Sequence, residues 1–203
     1  MINPLIFTEP IWKSLIVTTP EPLFTPEQCQ LIIRKGLSLK AEKGTTGAGT
    51  PDAERRGQPP DKSLRRSTIS WINFNEMPEM YKSIQWTLGK ANNNFFGFDG
   101  IAMSEPAQFT QYKSGGEHYG WHMDSDILGK NEPPVRKISM SIVLVPPTDY
   151  EGGAMEFEKA GKVLHLNQGQ AVFFASFLQH RVLPVTKGIR YSLVQWFTGP
   201  SFR

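Results

Sequence analysis

Val135-Arg136-Lys137-Ile138-Ser139-Met140-Ser141-Ile142-Val143-Leu144-Val145 is the stretch that decides the fold. Ile138, Met140, Ile142 and Leu144 alternate with Ser139, Ser141, Val143 and Val145. A period of two is that of a strand with two different faces. Working outward, strand signals recur at 67–74, 107–112, 154–158, 162–166, 170–175 and 189–198. Tyr150-Glu151-Gly152-Gly153 and Asn167-Gln168-Gly169 punctuate them as turns. Many short strands with Gly-rich turns, preceded by helices, point to a mainly β, α+β chain built on a β-sandwich or jelly roll.

The helices come first. Thr25-Pro26-Glu27-Gln28 is a helix start, with Thr25 as N-cap, Pro26 at the first helical position and Gln28 closing a capping box. Leu31, Ile32 and Leu39 follow at roughly helical spacing, and Gly36 weakens the end. A second helix opens near Met77-Pro78, where Met80, Ile84, Leu88, Ala91 and Phe95 form one apolar stripe. Residues 44–60 are rich in Gly, Pro and Thr, include Arg55 and Arg56, and read as a long loop, either a substrate lid or a plain surface insertion. The expected organisation is one domain over 1–203: supporting helices, a lead-in strand and the loop in 1–100, and a β-barrel core in 101–203.

Composition narrows the classes. At 203 residues and 39% hydrophobic content the chain is long enough to bury a core. A net charge of +3 is too small an excess to argue for a nucleic-acid partner. Cys29 is the only cysteine, which rules out an intrachain disulfide and a thiolate metal cluster, and it reads as a small buried hydrophobe. Glu9, Pro10 and Lys13 interrupt the early apolar residues, so neither a signal peptide nor a membrane span is expected and the chain reads as soluble and cytoplasmic.

The chemistry is carried by His122 and Asp124 in Trp-His-Met-Asp, by His180 in Leu-Gln-His-Arg, and by Arg190 ten residues later. Two imidazoles and a carboxylate are the ligand set of a non-haem Fe(II) centre with open positions. Residues two apart on a strand share a face, roughly 7 Å apart at the backbone, which suits His122 and Asp124. His118 and His122 have zinc-protease spacing, but Gly115, Gly116 and Gly120 oppose a helix there. Asp126 is the alternative carboxylate with the poorer spacing, and His165 reads as a solvent-facing strand residue. Arg190, Ser192, Val194 and Trp196 fall on one strand face. A guanidinium buried beside such a site needs an anion, which a dicarboxylate supplies, and Ser192 adds a hydroxyl on the same side. Tyr112 is placed to reach that co-substrate, and Tyr119 to form a pocket wall or core.

Tyr112…Gly115…Tyr119…His122-x-Asp124, then Tyr150-Glu151-Gly152-Gly153, then His180-Arg181-Val182-Leu183-Pro184-Val185…Gly188-Ile189-Arg190-Tyr191-Ser192 resembles the prolyl 4-hydroxylase-like branch of the Fe(II)/2-oxoglutarate dioxygenases, and most of all its PKHD-type hydroxylases. Arg66-Ser67…Trp71 is similar to the family's lead-in strand, so the resemblance runs over about 61–197. It implies a double-stranded β-helix, a cupin-like jelly-roll variant. It also implies iron on His122, Asp124 and His180, and 2-oxoglutarate on Arg190 and Tyr112, with Ser192 helping. L-Ascorbate enters as an accessory reductant. The implied activity is hydroxylation of a C–H bond with release of succinate and carbon dioxide. Trp196 matches a tryptophan near the family's substrate mouth, and Tyr119 and Arg66 are the further candidate substrate contacts. One departure stands out: Val143 occupies the place of a carboxylate-assisting tyrosine in animal prolyl hydroxylases.

The implied partners are molecular oxygen and a peptide, protein or small-molecule substrate, the leading target being a prolyl or other amino-acid residue. A free amino acid or metabolite is the enzymatic alternative. Oxidative demethylation of nucleic acid is disfavoured, because Trp196 stands where the alkylation-repair demethylases carry a second arginine. A cupin-like binding barrel is the non-enzymatic alternative, although a pure binder has no use for open coordination positions.

Overall fold

The computed structural model describes residues 15–44, 64–125, 134–158 and 161–202. Most of the 44–60 loop and Asp126 lie outside the described residues. In chain order the strands are β1 (Ile16–Thr18), β2 (Glu42–Lys43), β3 (Arg65–Arg66), β4 (Thr68–Ile72), β5 (Ala107–Lys113), β6 (Glu117–His122), β7 (Val135–Val143), β8 (Tyr150–Gly152), β9 (Met155–Phe157), β10 (Lys162–Leu164), β11 (Ala171–Ala175) and β12 (His180–Gly199). The helices are α1 (Pro26–Ser38) and α2 (Pro78–Ala91), the latter continued by a π turn over Asn92–Phe96. None of the described helices is long and apolar enough to cross a membrane.

Helix α1 starts as its sequence dictates. Thr25 Oγ1 accepts from Gln28 N at 3.3 Å, and Gln28 Oε1 accepts from Thr25 N at 2.9 Å. Gly36, two residues before the last residue of the helix, is also a point of close approach. A Cβ there would overlap the Phe109 ring, and the Gly36 carbonyl accepts the Ser70 hydroxyl at 2.7 Å. The bare glycine thus lets α1 lie directly on β4 and β5. Tyr81 of α2 pins the same strands: its hydroxyl donates to the Ile72 carbonyl and accepts from Ala107 N. Cys29 is fully buried in this core, and burial pushes its thiol up to about 11.

The strands form two antiparallel layers that share one chain. The larger runs β1-β11-β7-β12-β5-β4-β2. The smaller pairs β3 with β6, β6 with the start of β12, and β12 with β8 and β9, with β10 beyond β9. The strand expected over 189–198 is thus the last part of a longer one, β12, which leaves the smaller layer and enters the larger. Strands from the first hundred residues also contribute more than support: β1, β2 and β4 lie in the larger layer and β3 in the smaller.

Alternation decides what each face does. On β7, Ile138, Met140 and Ile142 join the apolar core that includes the helices, whereas Ser139 and Ser141 are buried on the other face. On β12, Leu193 and Phe197 join that core, and Arg190, Ser192, Val194 and Trp196 line a cavity of about 310 Å³ between the layers. The polar interior is the exception that identifies a site, because buried polar groups cost free energy unless something pairs with them.

Candidate metal centre

His122 ends β6, Asp124 follows it by two residues, and His180 begins β12 directly opposite, in register with His122. The three offer ligand atoms that lie within 4.8 Å of one another. Asp124 Oδ1 stands 3.7 Å from His122 Nε2 and Oδ2 stands 3.7 Å from His180 Nε2. Each ring is oriented by its other nitrogen. His122 Nδ1 donates to the Gly120 carbonyl at 2.8 Å and His180 Nδ1 to the Leu178 carbonyl at 2.8 Å. With the proton on Nδ1, both Nε2 lone pairs face the Asp124 carboxylate, the tautomer a metal requires.

The loop holding Asp124 is fixed by the Ser176 carbonyl, which accepts from Asp124 N at 2.9 Å and Ser125 N at 3.0 Å. The Ser176 and Ser139 hydroxyls bond at 2.9 Å, fully buried. Burial pushes the Asp124 carboxyl up, but His180, His122 and the Ser139 hydroxyl outweigh it and hold the group below its ordinary value. Burial, reinforced by His180, pushes the His122 imidazole down to about 3, with Asp124 pulling the other way. The pair therefore presents neutral imidazole beside ionised carboxylate, the protonation states that bind a cation.

Arg190 lies in the same cavity, 2% exposed, with Nε and Nη1 lacking a hydrogen-bond partner. A buried guanidinium with two unpaired donors calls for an anionic partner. Tyr112 is its direct cross-strand partner, its ring centroid 5.6 Å from the guanidinium carbon. Ser192 and Tyr112 both line the cavity, as does Trp196, whose buried indole N–H also has no partner. The Gly-Gly turn serves this arginine. A Cβ on Gly153 would sit 2.8 Å from Arg190 Cδ and 2.9 Å from Val185 Cγ2, and the residue has φ +65°.

Not every expected contact reaches the cavity. Arg66 is exposed on β3, and its neighbour Arg65 lines the cavity instead. Arg65 and Arg66 alternate on a strand, so the choice between them depends on the register with β6, which the sequence alone leaves open. Sequence reasoning also missed Arg136. Its parity on β7 opposes that of Ser139 and Ser141, but a bulge intervenes: Phe197 pairs with Ile138 whereas Thr198 pairs with Arg136. Arg136 thereby lines the cavity, bonded through Nε and Nη2 to the Glu105 carboxylate and 4.0 Å from the Trp196 ring centroid. His165 is exposed, as expected, but it lies one residue past β10 rather than on a strand.

A jelly roll holding two histidines and a carboxylate beside a buried, unpaired arginine has the donor set of a non-haem iron oxygenase with a dicarboxylate co-substrate. Residues 107–198 match the 2OG-Fe(II) oxygenase superfamily. Its similarity runs to the prolyl 4-hydroxylase-like, PKHD-type branch. A PKHD-type hydroxylase from Hyphomonas neptunium is 38% identical over 84 residues, which is 40% of this chain and 38% of that protein. The chain thus aligns with less than half the length of that relative. The viral collagen prolyl hydroxylase of Paramecium Bursaria Chlorella virus-1 superposes with TM-score 0.70 at 20% identity, covering 92% of this chain and 97% of that one. The prolyl hydroxylase of Trichoplax adhaerens, solved with a hypoxia inducible factor peptide, superposes at 0.65 with 15% identity over 92% and 84%. These likenesses establish the double-stranded β-helix fold.

Proposed function

We propose that this protein is an Fe(II)- and 2-oxoglutarate-dependent dioxygenase that hydroxylates a prolyl or other amino-acid side chain within a peptide or protein. The observation that carries the reading is Arg190: a buried cation with two unpaired donors, in one cavity with His122, Asp124 and His180. Iron would be held by His122 Nε2, His180 Nε2 and the Asp124 carboxylate. The distal carboxylate of 2-oxoglutarate would be held by Arg190, with Tyr112 and Ser192 beside it. Bound together, iron and 2-oxoglutarate supply the oxygen-activating chemistry that converts a C–H to a C–OH with release of succinate and carbon dioxide.

The chain's own part is positioning and exclusion of water. The Gly120 and Leu178 carbonyls keep the two histidine tautomers, and Ser176 and Ser139 keep the carboxylate in place. Val182, Phe174 and Met155 supply apolar wall around the ligands. Trp71 and Trp196, with centroids 6.1 Å apart, and Arg136 offer flat apolar surface with an indole and a guanidinium donor, a combination suited to a peptide segment. The names of the relatives support a peptidyl target.

Anaerobic protein loaded with Fe(II) and 2-oxoglutarate is expected to show a visible charge-transfer band, and to release succinate with oxygen. A proline-containing peptide panel should raise succinate release and yield products heavier by one oxygen. Iron-loaded protein without the band would sink the co-substrate assignment. Stimulation by free amino acids but by no peptide would sink the peptidyl one.

A further inference from the structure

Three side chains from two strands, Arg65 of β3 and Tyr119 and His122 of β6, stack in one column at the metal site. The Tyr119 and His122 rings are nearly parallel, 9° apart, with centroids 3.5 Å from each other. The Arg65 guanidinium carbon lies 4.4 Å from the same Tyr119 centroid. An imidazole that close covers one face of the phenol ring, so the guanidinium takes the other. Arg65 is itself buried and tied down, its Nε to Ser67 Oγ at 2.9 Å and its Nη2 to Gln108 Oε1 at 2.7 Å. Gln108 is anchored on β5, in the larger layer. Both faces of Tyr119 are thus occupied, and only its edge remains for a bound substrate.

We propose that Tyr119 is a positioning residue for the metal centre, clamped by Arg65 so that its ring face fixes the plane of His122. The inference rests on the metal reading above but asks a different question of it. The hydrogen bond from Nδ1 to the Gly120 carbonyl fixes one point of the imidazole and leaves rotation about that axis free. A flat ring 3.5 Å away removes that rotation and aims Nε2 at the ion. Arg65 strengthens the column because a cation on one face of the phenol holds the ring against the smaller layer. Partners that orient a metal-bound histidine typically carry about 10–100-fold in metal affinity.

The test uses Co(II) as the probe, without co-substrate or turnover. Wild-type protein, Tyr119→Phe, Tyr119→Leu and Arg65→Met would be titrated with Co(II), reading the dissociation constant and the ligand-field absorption bands. Tyr119→Phe keeps the stacked face and should bind within about twofold of wild type. Tyr119→Leu should bind ~10-fold or more weakly, with altered bands, and Arg65→Met should fall between. Thermal unfolding of the metal-free variants separates this from loss of fold, and Arg65→Met carries the test if Tyr119→Leu does not fold. Unchanged affinity and bands in both Tyr119→Leu and Arg65→Met would overturn the positioning role. An equal loss in Tyr119→Phe would assign the effect to the hydroxyl and overturn the stack. Wild-type protein that binds no Co(II) would overturn the metal reading and this inference together.

Discussion

His180 and Arg190 stand ten residues apart on one continuous strand, yet both line the same cavity. Ten extended residues span about 33 Å, so a straight strand would carry the arginine out of the site. Strand β12 instead changes layers between them. Its first part pairs with β6 and β9 and its last part with β5 and β7, with register shifts between Val182 and Val185 and between Val185 and Lys187. Gly188, at φ +69°, supplies a conformation that side-chain-bearing residues rarely adopt. The proposed metal ligand and the proposed co-substrate anchor are therefore set against each other by a single bend.

Arg190→Met should separate stability from binding. Unpaired donors on a buried cation cost free energy in the ligand-free protein, so the variant should melt at the same temperature as wild type or higher. Its affinity for 2-oxoglutarate should fall by about 30-fold or more, the equivalent of losing roughly 2 kcal/mol from a buried charge pair. Differential scanning fluorimetry with and without 2-oxoglutarate reads both quantities. Unaltered affinity would remove Arg190 from the anchor role.

Gly153→Ala should damage the co-substrate site without replacing any residue that would hold iron or 2-oxoglutarate. The added methyl meets Arg190 Cδ and Val185 Cγ2 below 3.0 Å, at a backbone φ of +65°. Strained backbone of this kind costs of order 1–3 kcal/mol, and the arginine must shift to make room. We expect weaker 2-oxoglutarate binding with Co(II) affinity retained. The outcome against it is equal loss of both.

Gly36→Ala should destabilise the whole molecule and leave the site's chemistry intact in the folded fraction. The methyl would overlap the Phe109 ring, and the helix would have to lift from β4 and β5. Overpacking in a filled core typically costs 1–3 kcal/mol, which more than offsets the helix propensity gained, of about 1 kcal/mol. Urea unfolding monitored by tryptophan fluorescence would show a lower midpoint. A stabilised variant would mean that the α1 contact is looser than the structure has it.

Acid should destabilise the metal-free protein through His122. Its folded value is about 3 against an ordinary 6.5. Between these the unfolded chain binds a proton that the folded one refuses, so stability rises with pH across the window and is lost as pH falls. Asp124, held below its ordinary value, acts in the same direction in more acid solution. Urea midpoints for wild type and His122→Gln over about pH 4 to 7 isolate the contribution. The wild-type slope should be the steeper; equal slopes would show that His122 charges freely in the folded state.

The alternating residues of β7, the capping box of Thr25 and Gln28, and the stripe of α2 were legible because each is set by neighbours a few residues away. His122, Asp124, His180 and Arg190 were legible as a set because donor chemistry and spacing are written in the sequence. Helix α1 lying on Phe109 through Gly36 was not, since a glycine in a helix looks like a breaker until the opposing ring is known. The same holds for Arg65 over Arg66 and for Arg136 past the bulge at Lys137. A shift of one residue in register exchanges the two faces of a strand.

By itself, then, the sequence determined which groups were available, which segments were strands and helices, and what chemistry a histidine, aspartate and arginine set would carry. Tertiary structure decided which face each strand buried, where β12 bent so that Arg190 and His180 line one cavity, and which ring lay against His122. Local pattern specifies an element because its causes are local. A site is specified by register and bend, and those are fixed only when the two layers close on each other.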